Sequence, residues 1–191
     1  MSEPARRHTL QQRVASAILE GAAEIFAVQG EHASMNDVAD AAGVARATVY
    51  RYFPNREALL DELARAAVTN VDERLAAARI DAVEPEEGIV RAVRALVDVG
   101  DSFVLLARVP RRSDAQRFER EVVQPLRRLF ERGQTSGDVR EDITAARLTE
   151  SLIGLVVGVL TSSPSLGRED MTATITGLFL DGARARGPRR G

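Results

Sequence analysis

Arginine and aromatic side chains are concentrated in one short stretch of the sequence, "GVARATVYRYFPNREALL", residues 43–60. Arg46, Arg51 and Arg56 lie in it with no acidic residue before Glu57, and two tyrosines and a phenylalanine fall within four consecutive positions. Arginine donates paired hydrogen bonds to guanine, threonine contacts a thymine methyl group or a phosphate, and a tyrosine hydroxyl binds phosphate. The stretch therefore carries side chains suited to nucleic-acid recognition.

The charge of the whole chain does not account for this cluster. The 191 residues include 26 basic and 28 acidic ones, for a formal net charge of -2. Such a balance provides no general attraction to nucleic acid, so any attraction has to arise locally.

Helical spacing of apolar residues predicts the elements that position the cluster. A first helix is predicted over residues 9–29, because the apolar periodicity runs to Gly30. The stretch "SMNDVADAAG" predicts a short second helix, in which Ser34 and Asp37 resemble a capping box with a shorter acid. A third helix is predicted over residues 45–53.

The third helix ends before Pro54, because proline disfavours helical geometry at the residue that precedes it. Asn55 is the predicted cap of a fourth helix, which begins at Arg56 or Glu57 and extends to the Pro85 region.

The second and third helices have the spacing of a helix-turn-helix. With Gly43 at the turn, Ala39 supplies the small residue that the crossing of the two helices requires. The positions that must face inward are apolar or aromatic: Val38, Val44, Val49 and Tyr52. The third helix is therefore the predicted recognition helix. Its outward face carries Arg46, Ala47, Thr48, Tyr50 and Arg51.

The rest of the chain is also predicted to be helical. Helical periodicity covers residues 86–107, 115–133 with a kink at Pro125, 143–163, and a last helix after Gly167. Because the sequence shows neither a convincing alternating strand nor a repeat, we predict an all-α fold.

The motif "DVADAAGVARATVYRYFPNREALL" makes residues 10–60 similar to the DNA-binding domain of the TetR family of bacterial transcriptional regulators. The resemblance implies an N-terminal three-helix DNA-binding domain, residues 1–55, and a C-terminal helical effector-binding and dimerisation domain, residues 56–191. It implies DNA contacts from Ser34, Arg46, Ala47, Thr48, Tyr50, Arg51, Tyr52 and Arg56. Of these, Arg46 and Ala47 are expected at base edges, and Tyr50, Tyr52 and Arg56 at phosphates. Ala45 departs from the family, which often has a serine there, so the third helix is expected to lack a side-chain cap.

A single recognition helix reads few base pairs, so regulators of this architecture usually bind a two-fold symmetric site as dimers. The run "LIGLVVGVL", residues 152–160, is too apolar for a half-exposed helix, and glycines four apart permit close helix contact. We predict a homodimer interface of Leu152, Gly154, Leu155, Val156, Gly158, Val159, Ile175, Leu178 and Phe179. The alternative is that these residues form an ordinary monomer core.

By analogy with the family, the middle helices enclose a pocket for a small hydrophobic effector. The predicted lining, in which each apolar residue is also compatible with ordinary core, is Val93, Leu96, Val97, Asp101, Phe103, Phe118, Val122 and Leu126. The resemblance implies a repressor that binds a palindromic operator and is released by the effector. The alternative is an architectural DNA-binding protein without effector control.

Several other classes of protein are not supported by the sequence. It contains no cysteine, only His8 and His32 as histidines, and neither a phosphate-binding glycine loop nor a nucleophile elbow. We therefore expect no enzymatic activity, no metal and no cofactor. With neither a signal-peptide core nor roughly 20 consecutive apolar residues, the chain is expected to be cytoplasmic without a membrane partner.

Overall fold

The computed structural model describes residues 3–108, 112–162 and 165–185, and the fold within these ranges is all-α, as predicted. Pairing of extended backbone is limited there to an isolated antiparallel bridge between Val139 and Arg184. The chain divides into two compact units, Met1–Ala66 and Ala67–Gly191.

The first unit is built from short helices packed on a long one. Helix α1 spans Glu3–Gln29 and so begins earlier than predicted, and a 3-10 turn, Gly30–His32, follows it. Helices α2 and α3 span Met35–Ala41 and Arg46–Tyr52, and α4, Arg56–Ala78, begins in this unit. The core contains Ile18, Phe26, Val38, Val49 and Leu59, each at most 3% exposed.

Helices α1 and α2 approach each other closely at Gly21. A Cβ atom there would lie 2.8 Å from the backbone nitrogen of Ala42, which is too close for any residue larger than glycine. Gly43 adopts φ +64° at the turn between α2 and α3, a backbone conformation that favours glycine. The predicted turn is therefore confirmed, whereas the contact at Gly21 was not expected from the sequence.

The second unit contains the end of α4 and the remaining helices. Helices α5 and α6 span Pro85–Val99 and Asp101–Arg108, and α7 spans Arg112–Phe118. A π-helical segment, Glu119–Val123, leads into α8, Gln124–Ser136. Helices α9 and α10 span Ala145–Ser162 and Arg168–Ala183. The fully buried core includes Ile89, Leu96, Phe103, Leu126, Phe130, Leu152 and Ile175.

The helix predicted over residues 86–107 is in fact two helices, so that prediction was wrong. Gly100 adopts φ +63°, which interrupts α-helical geometry between α5 and α6. Arg168 of α10 donates hydrogen bonds from Nη1 to the carbonyl oxygens of Val97 (3.2 Å) and Asp98 (2.5 Å). The arginine thus satisfies carbonyl groups that the end of α5 leaves without a helical donor.

Helix α4 ends at Ala78, well before the predicted Pro85 region. Arg79 adopts φ 49°, which ends the helix, and Arg91 of α5 donates from Nη1 to the carbonyl oxygen of Ala78 at 3.3 Å. The loop that follows is therefore longer than periodicity suggested.

Helix α9 combines high hydropathy with limited burial. Its 18 residues have a mean hydropathy of 1.3, and 28% of them are buried. By length and composition alone it is the one helix in the described ranges that could cross a membrane. Its first turns carry exposed Arg147 and Glu150. A single helix of this kind is weak support for a membrane span, and its exposed apolar face equally suits contact with another protein surface.

Candidate nucleic-acid interface

The helix-turn-helix is held by the residues that spacing assigned to its interior. Val38 and Val49 are fully buried and Ala39 is 3% exposed, while Val44 and Tyr52 are half-buried. The backbone N–H of Val44 donates to the carbonyl oxygen of Ala39 at 3.0 Å, which joins the turn to α2. The predicted interior is confirmed.

The opposite face of α3 is open to solvent. Arg46, Ala47, Tyr50 and Arg51 are exposed, and Thr48 is half-buried. No acidic residue occurs between residues 41 and 56, so nothing within this segment opposes the positive charge. The helix thus carries hydrogen-bond donors of the kind that read base edges and phosphates.

Arg46 is oriented by Tyr50, one turn further along α3. Its Nη2 lies 3.5 Å from the tyrosine hydroxyl, and its guanidinium carbon lies 5.3 Å from the centre of the tyrosine ring. A cation stacked on an aromatic face loses rotamer freedom before it meets a ligand, which lowers the entropy cost of binding. Arg51 makes a similar contact with Tyr52, at 5.4 Å from the ring centre.

Ser34 is the N-cap of α2, and its capping box with Asp37 is confirmed. Its backbone N–H and hydroxyl donate to Oδ2 of Asp37 at 2.9 and 2.7 Å, and its Oγ accepts from the backbone N–H of Asp37 at 3.3 Å. The hydrogen bond from the Ser34 hydroxyl, followed by that from its backbone, holds the pKa of Asp37 below its ordinary value. The exposed start of α2 is therefore held by the capping box and bears a carboxylate at neutral pH.

Arg56 has contacts within the first unit that the sequence did not predict. Its Nε donates to the carbonyl oxygen of Ala33 at 3.3 Å, and its guanidinium carbon lies 4.9 Å from the centre of the Phe26 ring. The side chain is half-buried and joins the start of α4 to the residue before Ser34. Arg56 therefore positions the N-terminus of α2.

The caps on either side of α3 are as the sequence indicated. Ala45 provides no side-chain cap for α3, whereas Oδ1 of Asn55 accepts from the backbone N–H of Ala58 at 2.8 Å. The start of α4 is therefore fixed by Asn55, while the start of α3 retains unsatisfied N–H groups that can bind a phosphate oxygen.

The structure places most of the predicted effector residues in closely packed core. Val93, Leu96, Phe103, Val122 and Leu126 are fully buried, Val97 is 1% exposed, and Asp101 lies on the surface. Phe118 is the member of this set that lines a groove of about 380 Å³, which also includes Val123, Arg127, Ile153 and Gly154.

A larger groove of about 700 Å³ is formed by residues that sequence reasoning did not select. Helix α4 supplies Asp72, Leu75 and Ala76 to its lining, and Ile80 and Asp81 come from the loop after α4. The remainder come from the π segment and α8: Glu121, Pro125, Arg128, Leu129, Glu131, Arg132, Thr135 and Ser136. We call this the α4–α8 groove. No local pattern predicts it, because its walls are far apart in the sequence.

The predicted dimer residues fall into two groups. Leu152, Val156, Ile175 and Phe179 are buried within the second unit, whereas Leu155 and Val159 are half-buried. Gly154 and Gly158 are exposed, with no atom within 4 Å of where a Cβ would lie, and Leu178 is 63% exposed. The exposed group leaves a surface of small and apolar residues on α9 and α10.

Comparison with known proteins agrees with this architecture. Residues 18–63 match the family model of bacterial regulatory proteins, tetR family. The HTH-type transcriptional regulator NfxB of Pseudomonas aeruginosa is 29% identical over 165 residues, which are 82% of this chain and 87% of NfxB. The HTH-type transcriptional repressor LfrR of Mycolicibacterium smegmatis is 36% identical over 107 residues, which are 52% of each protein.

Solved structures share the fold at lower sequence identity. LfrR in complex with proflavine has a TM-score of 0.73 at 22% identity, covering 91% of this chain and 97% of that one. AibR in complex with isovaleryl coenzyme A and operator DNA has a TM-score of 0.69 at 20% identity, covering 86% and 97%.

A helix-turn-helix whose second helix exposes arginines, followed by a helical unit, defines a DNA-binding transcriptional regulator. Residues 18–63 match the model of the tetR family of bacterial regulatory proteins, which confirms the resemblance that the motif in residues 37–60 indicated.

Proposed function

We propose that the chain is a homodimeric, cytoplasmic repressor that binds a palindromic operator and is released from it by a small apolar effector. In this proposal residues 1–55 bind DNA, and residues 56–191 bind the effector and the second subunit. The relatives are named as transcriptional regulators, and we propose no enzymatic activity for this chain.

The exposed face of α3 supports operator binding more directly than any other observation. Arg46, held against Tyr50 at 5.3 Å, is oriented for paired hydrogen bonds to a guanine, with Ala47 beside it at the base edges. Tyr50, Tyr52 and Arg56 contact phosphates in this proposal. The full set of proposed DNA contacts is Ser34, Arg46, Ala47, Thr48, Tyr50, Arg51, Tyr52 and Arg56.

The exposed surface of α9 and α10 supports dimerisation. Gly154 and Gly158 lie in open space, which allows the backbone of a second helix to approach closely. Leu178 is the most exposed large hydrophobic residue of these helices, at 63%. We assign the contact to Gly154, Leu155, Gly158, Val159 and Leu178, because the other predicted members pack inside their own unit.

Release by an effector is supported by open grooves in the second unit and by the complexes of related folds. LfrR was solved with proflavine, and AibR with isovaleryl coenzyme A and operator DNA. In this chain, a ligand that binds one conformation better than another shifts the population away from the operator-binding form.

The test is the binding of purified protein to the DNA directly upstream of its own gene, compared with a scrambled sequence over a series of salt concentrations. We expect tight binding to the upstream fragment that survives competitor DNA, with weaker binding to the scrambled one. Binding of equal strength to both, falling steeply with salt, would instead indicate a non-specific architectural protein. Arg46→Ala on α3 tests the proposed base contact. Arg128→Ala on α8 is its control, because both variants replace an exposed arginine.

A further inference from the structure

The α4–α8 groove has the size and shape of a small-molecule site. Its volume of about 700 Å³ lies within the range of about 300–1,000 Å³ typical of ligand pockets. Leu75, Ile80 and Leu129 lie at its base and are almost fully buried, while Ala76 is exposed at its wall. An apolar ligand body that covers these groups is removed from water and is stabilised accordingly.

The polar groups of the groove are predominantly acidic. Asp72, Asp81, Glu121 and Glu131 contribute four carboxylates, against the two guanidinium groups of Arg128 and Arg132. The lining therefore carries an excess of negative charge in a partly enclosed space, where charges interact more strongly than in bulk water.

Arg132 already donates three hydrogen bonds to backbone carbonyl groups. Its Nη1 donates to the carbonyl oxygen of Asp81 at 2.6 Å, and its Nη2 donates to those of Ile80 (3.2 Å) and Val83 (2.8 Å). Because these bonds hold the loop after α4, the guanidinium is not available for paired hydrogen bonds to an anion. An anionic ligand is left with Arg128 alone.

The acidic groups differ in how far they are engaged. Glu121 pairs with Arg117 at 2.6 Å and Arg120 at 3.1 Å. Burial raises the pKa of Glu121, but the hydrogen bonds from the two arginines outweigh it and keep the pKa below its ordinary value. Among the described residues, no hydrogen bond or ion pair engages the carboxylates of Asp72, Asp81 and Glu131. These three remain open to a cation.

We propose that the α4–α8 groove binds a small organic cation with an apolar body, held by its carboxylates over a base of leucine and isoleucine. Asp72, Leu75 and Ala76 belong to α4, the helix that begins at Arg56 beside the helix-turn-helix. That this cation is the effector rests on the proposed function, whereas the site itself does not. The site shares no residue with the effector pocket predicted from the sequence.

The experiment titrates the full chain, without DNA, with rhodamine 6G, a fluorescent dye that carries a permanent positive charge. Fluorescein, which has the same three-ring core but is an anion at neutral pH, is the comparison. Fluorescence anisotropy reports binding of each dye. We expect saturable binding of rhodamine 6G, one molecule per chain, and much weaker binding of fluorescein.

Three variants locate the site. The double variant Asp72→Asn with Glu131→Gln should weaken the affinity for rhodamine 6G by about tenfold, the effect of removing two solvent-accessible charge interactions. Glu73→Gln, the next residue of α4 and not part of the groove lining, should leave the affinity unchanged. Ala76→Phe fills the groove from an exposed position and should abolish binding. Thermal unfolding confirms that each variant is folded.

The outcomes separate the site from the proposed function. Equal binding of the two dyes, equal losses in the Asp72 and Glu73 variants, or full binding by Ala76→Phe would each overturn the cation site. If rhodamine 6G occupies the groove but saturating dye does not release the operator fragment, the site stands and its role as effector site fails. If no operator binding is found, the repressor proposal fails, while the dye titration still decides the groove.

Discussion

Arginines have different roles in the two units. In the first, Arg46 and Arg51 lie on the exposed face of α3 and contact tyrosines of the same helix, four positions and one position away. In the second, Arg132 and Arg168 reach backbone carbonyl oxygens 49 to 71 residues away in the sequence. The first pair keeps its charge available to a ligand, whereas the second pair holds loops and helix ends.

This difference shows how a binding arginine can be told from a structural one: the groups that its N–H donors already bind decide which it is. Arginines stacked on an aromatic ring retain most of their N–H groups for a partner. Those bound to several carbonyl groups contribute to folding and have few donors left. The four predictions below test that contrast from the largest expected effect to the smallest.

Replacing both Gly154 and Gly158 with leucine should separate the proposed dimer without unfolding the chain. Both glycines lie in open space within one chain, so the added side chains strain only a contact between two copies. Overpacking of this kind should raise the dimer dissociation constant by about a hundredfold, or roughly 3 kcal/mol. Sedimentation velocity measures the oligomeric state, and replacement of an exposed residue of α4, Ala77→Leu, is the control. An unchanged sedimentation profile would show that Gly154 and Gly158 do not lie in a dimer interface.

Arg132→Ala should destabilise the second unit by about 2–3 kcal/mol, because three carbonyl groups lose a charged donor. Arg128→Ala, on the same helix and exposed, should change the free energy of unfolding by less than about 0.5 kcal/mol. Urea unfolding measures both. Equal effects in the two variants would remove the distinction between structural and available arginines.

Ser34→Ala should lower the free energy of unfolding by about 1 kcal/mol, the usual value for loss of an N-cap.

The capping box should also be sensitive to acid. Because the folded-state pKa of Asp37 is lowered, its stabilisation is present above the ordinary pKa and is lost as the pH falls through the lowered one. Urea unfolding from neutral to acidic pH should therefore show a pH-dependent loss that Asp37→Asn lacks. The same pH dependence in both proteins would contradict this assignment.

Tyr50→Ala should weaken operator binding by about 0.5–1 kcal/mol beyond Tyr50→Phe, because only phenylalanine preserves the aromatic face against Arg46. Tyr50→Phe itself reports the contribution of the hydroxyl. Anisotropy titrations with the operator fragment compare the three proteins. Identical losses in both variants would mean that the ring does not orient Arg46.

The elements of the first unit were predictable because their determinants are close in the sequence. Val38, Ala39, Gly43 and Val49 together have the spacings that a helix-turn-helix requires, and the structure buries them or turns the chain at them. The close contact at Gly21 was not predictable, because the backbone that Gly21 approaches belongs to Ala42, which is distant in the sequence.

The second unit was predicted less well, because more of its structure depends on contacts between residues that are distant in the sequence. Apolar periodicity identified the buried faces that contain Leu96 and Leu126, but it cannot show whether a cavity opens beside them. The break at Gly100 was hidden because the apolar pattern continues on both sides of it. The α4–α8 groove depends on the loop that Arg132 holds, and such a distant contact leaves no local pattern.

The central claim is that α3 reads the operator through Arg46, and its most direct test is to measure binding to a set of operator fragments with single base changes. Wild-type protein should discriminate at one position of each half-site by about 1–3 kcal/mol, and Arg46→Ala should lose discrimination at that position alone. If Arg46→Ala instead weakens binding to every fragment equally, Arg46 contacts a phosphate and the claim is wrong.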